Sequence, residues 1–194
     1  MSSFDREHYM QFLAELWVPI LVSVALCFIG SAASWMVLPF HRHEWHRLPT
    51  EPGVLDALRQ DMPSPGRYNF PFTMDGQNAE RADLKASLEK GPIGFLTIAR
   101  PGVTPMRMML LQMIAFYTIV TTLTAYVAWA SLRINPPYAT VFKLAGIVSA
   151  MAYVMGSAPE SIWYARPWKH WIVQALEGIA FGVITGAVFA WMWP

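Results

Sequence analysis

Histidines cluster just beyond the end of the first apolar segment of the chain. The sequence HRHEWH contains His41, His43, Glu44 and His46. Neutral imidazoles and a carboxylate are suitable ligands for zinc, copper or iron, so one hypothesis is a metal site. The spacing matches no specific metal motif, because HExxH is absent. A segment rich in His, Arg and Trp is also typical of a surface that faces lipid headgroups, which is the alternative interpretation.

Methionines open the second apolar segment, at Met106, Met108, Met109 and Met113. Thioether sulfur selects Cu(I), so these residues and the histidines together suggest copper handling. Methionine is also a flexible apolar filler, and no methionine pair in this segment is accompanied by Cys or His. The pattern therefore favours packing over copper binding.

Five ionisable residues fall inside or close to the apolar segments. They are predicted to form two layers, one with Glu15 and Lys143 and the other with Arg107, Glu160 and Glu177. A charge in hydrocarbon costs at least about 2.5 kcal/mol, so such side chains usually pair or face water. Glu177 lies deepest, about 13 Å along its helix from Trp168. A proton or cation relay is one interpretation, but a structural ion pair or hydrogen bond is favoured.

Three glycines recur every four residues in the last apolar segment, at Gly178, Gly182 and Gly186. This spacing makes a smooth groove on one helix face, which lets another helix approach closely. The pattern predicts helix packing and leaves open whether the partner helix belongs to the same chain or to another subunit.

The composition indicates a membrane protein. Of 194 residues, 55% are hydrophobic and only 14% are charged, whereas soluble domains carry about 25% charged residues. Fourteen Lys and Arg nearly balance thirteen Asp and Glu, so the net charge gives no reason to propose a nucleic-acid partner. The single cysteine, Cys27, excludes an intramolecular disulfide and lies in an apolar run, where packing is its expected role.

The charges divide the chain into three parts. Residues 41–104 carry sixteen of the charged side chains and form a polar loop domain, between residues 1–40 with the first transmembrane helix and residues 105–194 with three more. Each apolar segment exceeds the roughly 20 residues that span a bilayer, and none shows the polar stripe of a soluble bundle helix. The predicted spans are Phe12 to Leu38, Pro105 to Leu132, Tyr138 to Tyr164 and Trp168 to Trp193.

The polar loop domain contains its own signals for short elements. Thr50 before Glu51 and Pro52 predicts a capped helix of about ten residues. Residues 78–90 predict a second helix, closed by Gly91 and Pro92. RYNFPF and GFLTIA are β-prone runs that can pair antiparallel or parallel. The predicted fold class is an all-α membrane protein with four transmembrane helices and a small α+β polar cap formed by the first loop.

Basic residues near the span ends predict the orientation. Arg6, Arg133 and Lys143 lie on the side of the termini, against Arg42, Arg47, Arg100, Arg107, Arg166 and Lys169 on the other side. The positive-inside rule therefore predicts a cytoplasmic polar loop with both termini outside. Residues 31–33, SAA, resemble a signal-peptide cleavage site, but the preceding region, with Asp5, Arg6 and Glu7, lacks the expected net positive charge, so the first helix is expected to be retained.

Several blocks carry a family resemblance: VLPFHRHEWHRLPTE, PGRYNFPF, GPIGFLTIARPG, SIWYARPW and FAWMWP. They resemble a family of small bacterial integral membrane proteins to which no activity is attached. The resemblance runs from about residue 37 to the end. It implies a four-span bacterial inner-membrane protein with a polar first loop, and it implies no catalytic residues.

No enzyme class is indicated, because the sequence lacks a phosphate loop, a GxSxG nucleophile turn and a GxGxxG dinucleotide fingerprint. No catalytic residue or cofactor is assigned. The favoured function is a structural or interaction subunit, in contact with the lipid bilayer and assembling with itself or with other membrane proteins. One alternative is an oligomeric ion or proton channel or transporter that uses the intramembrane carboxylates. The other is copper or zinc handling at the histidine cluster.

Overall fold

Four long helices dominate the fold. The computed structural model describes residues 3–42, 44–72, 82–102, 105–132 and 135–194. Within these residues, four helices are long and apolar enough to cross a membrane: Gln11–Met36, Met106–Ser131, Tyr138–Trp163 and Trp168–Trp191. Their ends lie within two residues of the predicted ones. The chain is therefore a multi-pass membrane protein by the length and composition of its helices.

The elements follow one another in a simple order. In the first half of the chain they are α1 (Ser3–Met36), a 3₁₀ turn (Pro39–His41), α2 (Glu51–Gln60), β1 (Gly66–Phe70), α3 (Ala82–Lys90) and β2 (Gly94–Ile98). In the second half they are α4 (Met106–Ser131), α5 (Tyr138–Val154), α6 (Ala158–Trp163) and α7 (Trp168–Trp191). A 3₁₀ turn at Met155–Ser157 joins α5 to α6, so the third span is one helix interrupted near its end.

The chain divides into two compact units. The membrane unit comprises Met1–Glu44, Pro105–Ser161 and Arg166–Pro194, and the polar unit comprises Trp45–Thr104 and Ile162–Ala165. The sequence placed this boundary at residue 41. The membrane unit extends to Glu44 because Glu44 is hydrogen-bonded to His41. His41 is in turn hydrogen-bonded to Glu177 of α7.

The glycine groove of α7 packs against α5 within the same chain. A Cβ atom on Gly182 would lie 2.7 Å from the Gly146 carbonyl oxygen and 2.7 Å from the Ala150 Cβ. A Cβ on Gly186 would lie 2.7 Å from the Phe142 carbonyl oxygen, and one on Gly178 would lie 2.7 Å from Val154 Cγ2. Glycine is thus required at three successive turns, since any side chain there would meet the backbone or a packed side chain of α5.

The buried interior of the membrane unit differs between its two ends. Near the chain termini the core is apolar and contains Phe12, Leu16, Ile20, Ala125, Val141, Ala145 and Phe189. Toward the other end it contains hydroxyl, thiol and phenol groups. Ser23, Cys27, Thr121, Thr124, Ser149 and Thr185 are each fully buried there, and Tyr117 and Tyr153 pack beside them.

The polar unit contains a two-stranded sheet and two short helices. Strands β1 and β2 pair antiparallel, with Tyr68 opposite Leu96. The Phe95 ring packs edge-on against Tyr164, and the Arg67 guanidinium lies 4.1 Å from the centre of the same Tyr164 ring. The predicted helix at Glu51 is present, although the Thr50 side chain makes no capping hydrogen bond. The second helix begins at Ala82 in the described chain, and residues 78–81 lie outside the described residues.

Candidate functional site

One histidine joins two carboxylates at the end of the membrane unit opposite the chain termini. His41 Nδ1 lies 2.6 Å from Glu44 Oε1, and His41 Nε2 lies 2.9 Å from Glu177 Oε1. A protonated imidazole donates from both ring nitrogens, and an ionised carboxylate oxygen only accepts. When His41 is protonated, it can therefore donate to Glu44 and Glu177 at the same time.

The last turn of α1 completes this cluster. The Ser34 hydroxyl donates a hydrogen bond to Glu177 Oε1. The Trp35 ring stacks on the His41 ring with their planes 1° apart and their centroids separated by 3.9 Å. Cationic rings are attracted to the face of an indole, so Trp35 both covers and stabilises the imidazolium.

A proline turn brings His41 to this position. Helix α1 ends at Met36, and Leu38 is extended, with ψ of 149°. The residue before a proline avoids helical geometry, so Pro39 ends the helix and starts the short turn that carries His41. On the other side, α7 begins directly after Pro167 and places Glu177 on the third turn of that helix.

The two carboxylates raise the pKa of His41. Burial would lower the pKa of the His41 imidazolium, but its hydrogen bonds to Glu177 and Glu44 and the charges of both carboxylates raise it above the ordinary value of 6.5. Side-chain exposure is only 5% for His41 and 15% for Glu177. Water therefore screens this pair weakly, which strengthens their attraction.

His41 should consequently make stability depend on pH. A histidine whose pKa is raised by folding stabilises the folded state fully below pH 6.5, and this contribution is lost as the pH rises through the raised pKa. We expect the melting temperature of the protein in detergent to fall over that interval, and the fall to be absent in His41→Gln. Melting curves collected from pH 5.5 to 9 test this, with His46→Gln as the matched control, because the His46 side chain is exposed.

A cavity of about 350 Å³ adjoins the cluster within the membrane unit. Its lining combines polar and aromatic side chains. Glu177, His41, Arg166 and Gln174 are among the polar ones, and the Arg166 guanidinium donates to the Gln174 side-chain oxygen. The aromatic ones are Trp35, Phe116, Tyr117, Tyr153 and Phe181. A second cavity of about 330 Å³ also reaches Glu177 but is lined mainly by apolar side chains, from α7 and from Leu38 and Phe40, which follow α1.

Polar groups continue from this cavity into the middle of the bundle. The Cys27 Sγ lies 3.7 Å from the Thr185 hydroxyl, and the Thr124 and Ser149 hydroxyls lie 3.0 Å apart. Beyond them the interior is closed by the apolar cluster that contains Leu16 and Phe189. The buried polar groups therefore lie between the cavity and the apolar cluster, and they end near the middle of the spans.

The predicted metal ligands are only partly brought together. His41 and Glu44 are in contact, but both His41 nitrogens are occupied by carboxylates. His46 is exposed in the polar unit, and His43 lies outside the described residues. In the part of the chain that the structure describes, no three His, Cys, Asp or Glu side chains are grouped as a metal site requires. The four methionines are exposed on α4.

The other intramembrane ionisable residues lie apart from the cluster. Glu15 is exposed and accepts hydrogen bonds from the Gln11 side chain at 2.9 Å and the Trp129 indole at 3.4 Å. Lys143 and Arg107 are exposed, and Glu160 is half-buried on α6. Of the five predicted residues, Glu177 is therefore the one that belongs to the cavity.

The sequence analysis groups Glu44 with His41 but treats His41 and Glu177 as separate features. Ser34, Trp35, Arg166 and Gln174 were not assigned to any site. A signal for the polar interior was present, because Ser23, Cys27 and Ser31 recur every four residues and so share one face of α1.

The fold and the cluster define the class of protein. It has four helices that are long and apolar enough to cross a membrane, and a cluster of one histidine between two carboxylates at one end of its helical bundle. Comparisons with protein-family models, curated proteins and solved structures find no match to this chain.

Proposed function

We propose that this protein is an interaction subunit of the bacterial inner membrane that acts by binding and carries no ions across the bilayer. Its polar unit docks on a second copy or on another membrane protein, and its membrane unit anchors that contact. The four apolar helices support a membrane location, and the bacterial inner membrane is proposed from the resemblance of the sequence to small bacterial membrane proteins.

One observation carries the interaction function: the described part of the polar unit has no core of its own. None of its described residues is buried. Several large apolar side chains are instead more than half exposed, among them Trp45, Met62, Phe72, Ile93 and Trp163. A two-stranded sheet with two short helices is marginal in water unless its apolar face is covered. A partner surface would supply that cover.

Helix α2 presents the clearest docking face. Val54, Leu55 and Leu58 lie on one side of the helix, and Val54 and Leu55 are 38% and 41% exposed. The opposite side carries polar residues, including Gln60. An amphipathic helix with a half-exposed apolar stripe is a common element of partner recognition.

Leu55→Asp should therefore break the assembly. A carboxylate in the apolar stripe would have to be desolvated on docking, so we expect the complex isolated in mild detergent to lose its partner, or to dissociate to the monomer, with at least about a tenfold loss of affinity. Particle mass by light scattering, with partners identified by mass spectrometry, measures this.

Gln60→Asp is the matched control, because it adds the same charge to the polar side of the same helix. It should leave the particle mass unchanged. If Leu55→Asp and Gln60→Asp behaved alike, or if the unmodified protein were monomeric without a partner, the interaction function would be wrong.

The closed interior supports binding over transport. A conducting path needs polar or water-filled surroundings on both sides of the bilayer, and an apolar constriction blocks ions by excluding water. In the membrane unit, the apolar cluster around Leu16, Ile20 and Phe189 fills the end near the chain termini. Glu177 then serves as a partner of His41 and Ser34.

We further propose that the polar unit is cytoplasmic and that both termini lie outside, from the excess of Arg and Lys at the corresponding span ends. In a Cys27→Ala background, Ser131→Cys should react with a membrane-impermeant thiol reagent in cells without an outer barrier, and Ser87→Cys should not. Both serines are exposed in the structure. Reaction at Ser87→Cys alone would invert the orientation.

A further inference from the structure

The polar cavity of the membrane unit has the size and lining of a small-ligand site. Its volume of about 350 Å³ falls in the range of known pockets, about 300–1,000 Å³. Five aromatic rings line it together with a few polar groups, which is the usual composition of such sites. The Tyr153 hydroxyl, on a residue that is 8% exposed, has no partner at ordinary hydrogen-bond geometry among the described residues.

Two charged groups at the cavity retain bonding capacity. Glu177 Oε1 accepts from Ser34 and His41, whereas its second oxygen, Oε2, makes no hydrogen bond in the described part of the chain. The Arg166 guanidinium donates one N–H to Gln174. Its other N–H groups make no hydrogen bond to the described residues. The site therefore offers a ligand one negatively charged hydrogen-bond acceptor, Glu177, and one positively charged hydrogen-bond donor, Arg166.

The site carries charges of both signs. Glu44 and Glu177 contribute two negative charges, and the His41 imidazolium and Arg166 contribute two positive ones. A simple cation would satisfy Glu177 but meet the uncompensated Arg166, and a simple anion would do the reverse. A ligand with both charges would satisfy both groups.

We propose that this cavity binds a zwitterion in which an ammonium group is linked to a phosphate. The ammonium donates to Glu177 Oε2 and lies against the faces of the aromatic rings, which attract cations. The phosphate accepts from Arg166, whose planar fork of donors matches phosphate oxygens. In sequence, His41 follows the first span and Arg166 precedes the fourth, and residues that flank a span are commonly near phospholipid headgroups.

This chemistry has two sources, a zwitterionic lipid and a soluble molecule with the same headgroup. The apolar cavity that also reaches Glu177 could hold an acyl chain, since it is lined by Leu38, Leu176, Ala180 and Ile184. Ala180→Trp would fill that space. It should weaken binding of the lipid and leave binding of the soluble headgroup unchanged.

The experiment measures the binding of two matched pairs of probes to delipidated protein. The lipids are phosphatidylethanolamine and phosphatidylglycerol, counted on the protein by native mass spectrometry. The soluble molecules are glycerophosphoethanolamine and glycerophosphoglycerol, followed by calorimetry. We expect the ethanolamine compound of either or both pairs to bind and its glycerol counterpart to bind at least about tenfold more weakly, a difference of about 1.4 kcal/mol.

Variants identify the site. Glu177→Gln and Arg166→Gln should each weaken binding at least about tenfold, because each removes one charge-assisted hydrogen bond. Glu15→Gln and Arg107→Gln make the same chemical changes at exposed positions and should have less than about a twofold effect. Melting curves establish that each variant is folded.

Binding of the lipid alone or of the soluble headgroup alone supports the proposal and identifies its source. The proposal is overturned if neither ethanolamine compound binds, if the glycerol compounds bind equally well, or if both Glu177→Gln and Arg166→Gln bind as the unmodified protein does. None of these outcomes affects the particle mass measured for Leu55→Asp, so the test is separate from that of the interaction function.

Discussion

Gly182→Leu should destabilise the protein more than any other single substitution considered for it. Even a Cβ atom at this position would lie 2.7 Å from the Gly146 carbonyl oxygen, and backbone cannot move aside as a flexible side chain can. Inserting a leucine would force α7 away from α5 over several turns. We expect a loss of at least about 3 kcal/mol of unfolding free energy, measured by thermal or denaturant unfolding in detergent.

Gly156→Leu is the matched control for this prediction. It makes the same change in the third span, but a Cβ on Gly156 meets nothing within 4 Å. Its effect should stay within about 1 kcal/mol. If the Gly182→Leu and Gly156→Leu variants had the same melting temperature, the packing of α7 on α5 would be contradicted.

The glycines illustrate what spacing can predict and what it cannot. Their four-residue interval places Gly178, Gly182 and Gly186 on one face, so close helix packing follows from sequence alone. The partner does not follow, because a smooth face accepts any helix with a complementary surface. The structure shows that the partner is α5, with Gly146 as the complementary small residue. The groove therefore no longer argues for a contact with another subunit.

The four spans were predictable for a different reason. Crossing about 30 Å of hydrocarbon requires about 20 apolar residues in a helix, so length and composition alone fix their positions. The interruption of the third span at Met155–Ser157 was missed, because its sequence stays apolar and a 3₁₀ turn needs no special residue at every position.

The contact between His41 and Glu177 could not be found by motif. The two residues are separated by 136 positions in sequence, and no local spacing connects them. A physical argument was available, since a carboxylate inside a span needs a partner and His41 follows the end of a neighbouring span. The metal hypothesis used His41 with its sequence neighbours instead. Both ring nitrogens of His41 are instead hydrogen-bonded to Glu44 and Glu177.

Glu177→Ala is the second substitution with a large expected effect. It removes the acceptor of both Ser34 and His41 and leaves the His41 imidazolium with Glu44 alone. Removing one partner of a buried pair leaves the other charge poorly compensated, so we expect a loss of about 2–3 kcal/mol in unfolding free energy. Melting of the purified variant in detergent at pH 6 measures it.

Two further variants separate the causes of that loss. Glu177→Gln keeps the shape and an acceptor for Ser34 but cannot ionise, so it should cost less than Glu177→Ala, about 1 kcal/mol. Glu15→Ala removes an exposed carboxylate from α1 and should change stability by no more than about 0.5 kcal/mol. An equal effect of Glu177→Ala and Glu15→Ala would show that the cluster does not stabilise the bundle.

The claim that the protein binds but does not transport is tested most directly by ion flux in reconstituted vesicles. Proton and cation flux should equal that of protein-free vesicles, because the apolar cluster around Leu16 and Phe189 closes the polar interior. A channel-forming peptide added at the end serves as the positive control, and a cooperative melting transition establishes that the reconstituted protein is folded. A reproducible flux that Glu177→Gln abolishes, while the protein stays folded, would contradict the account and establish a channel or transporter.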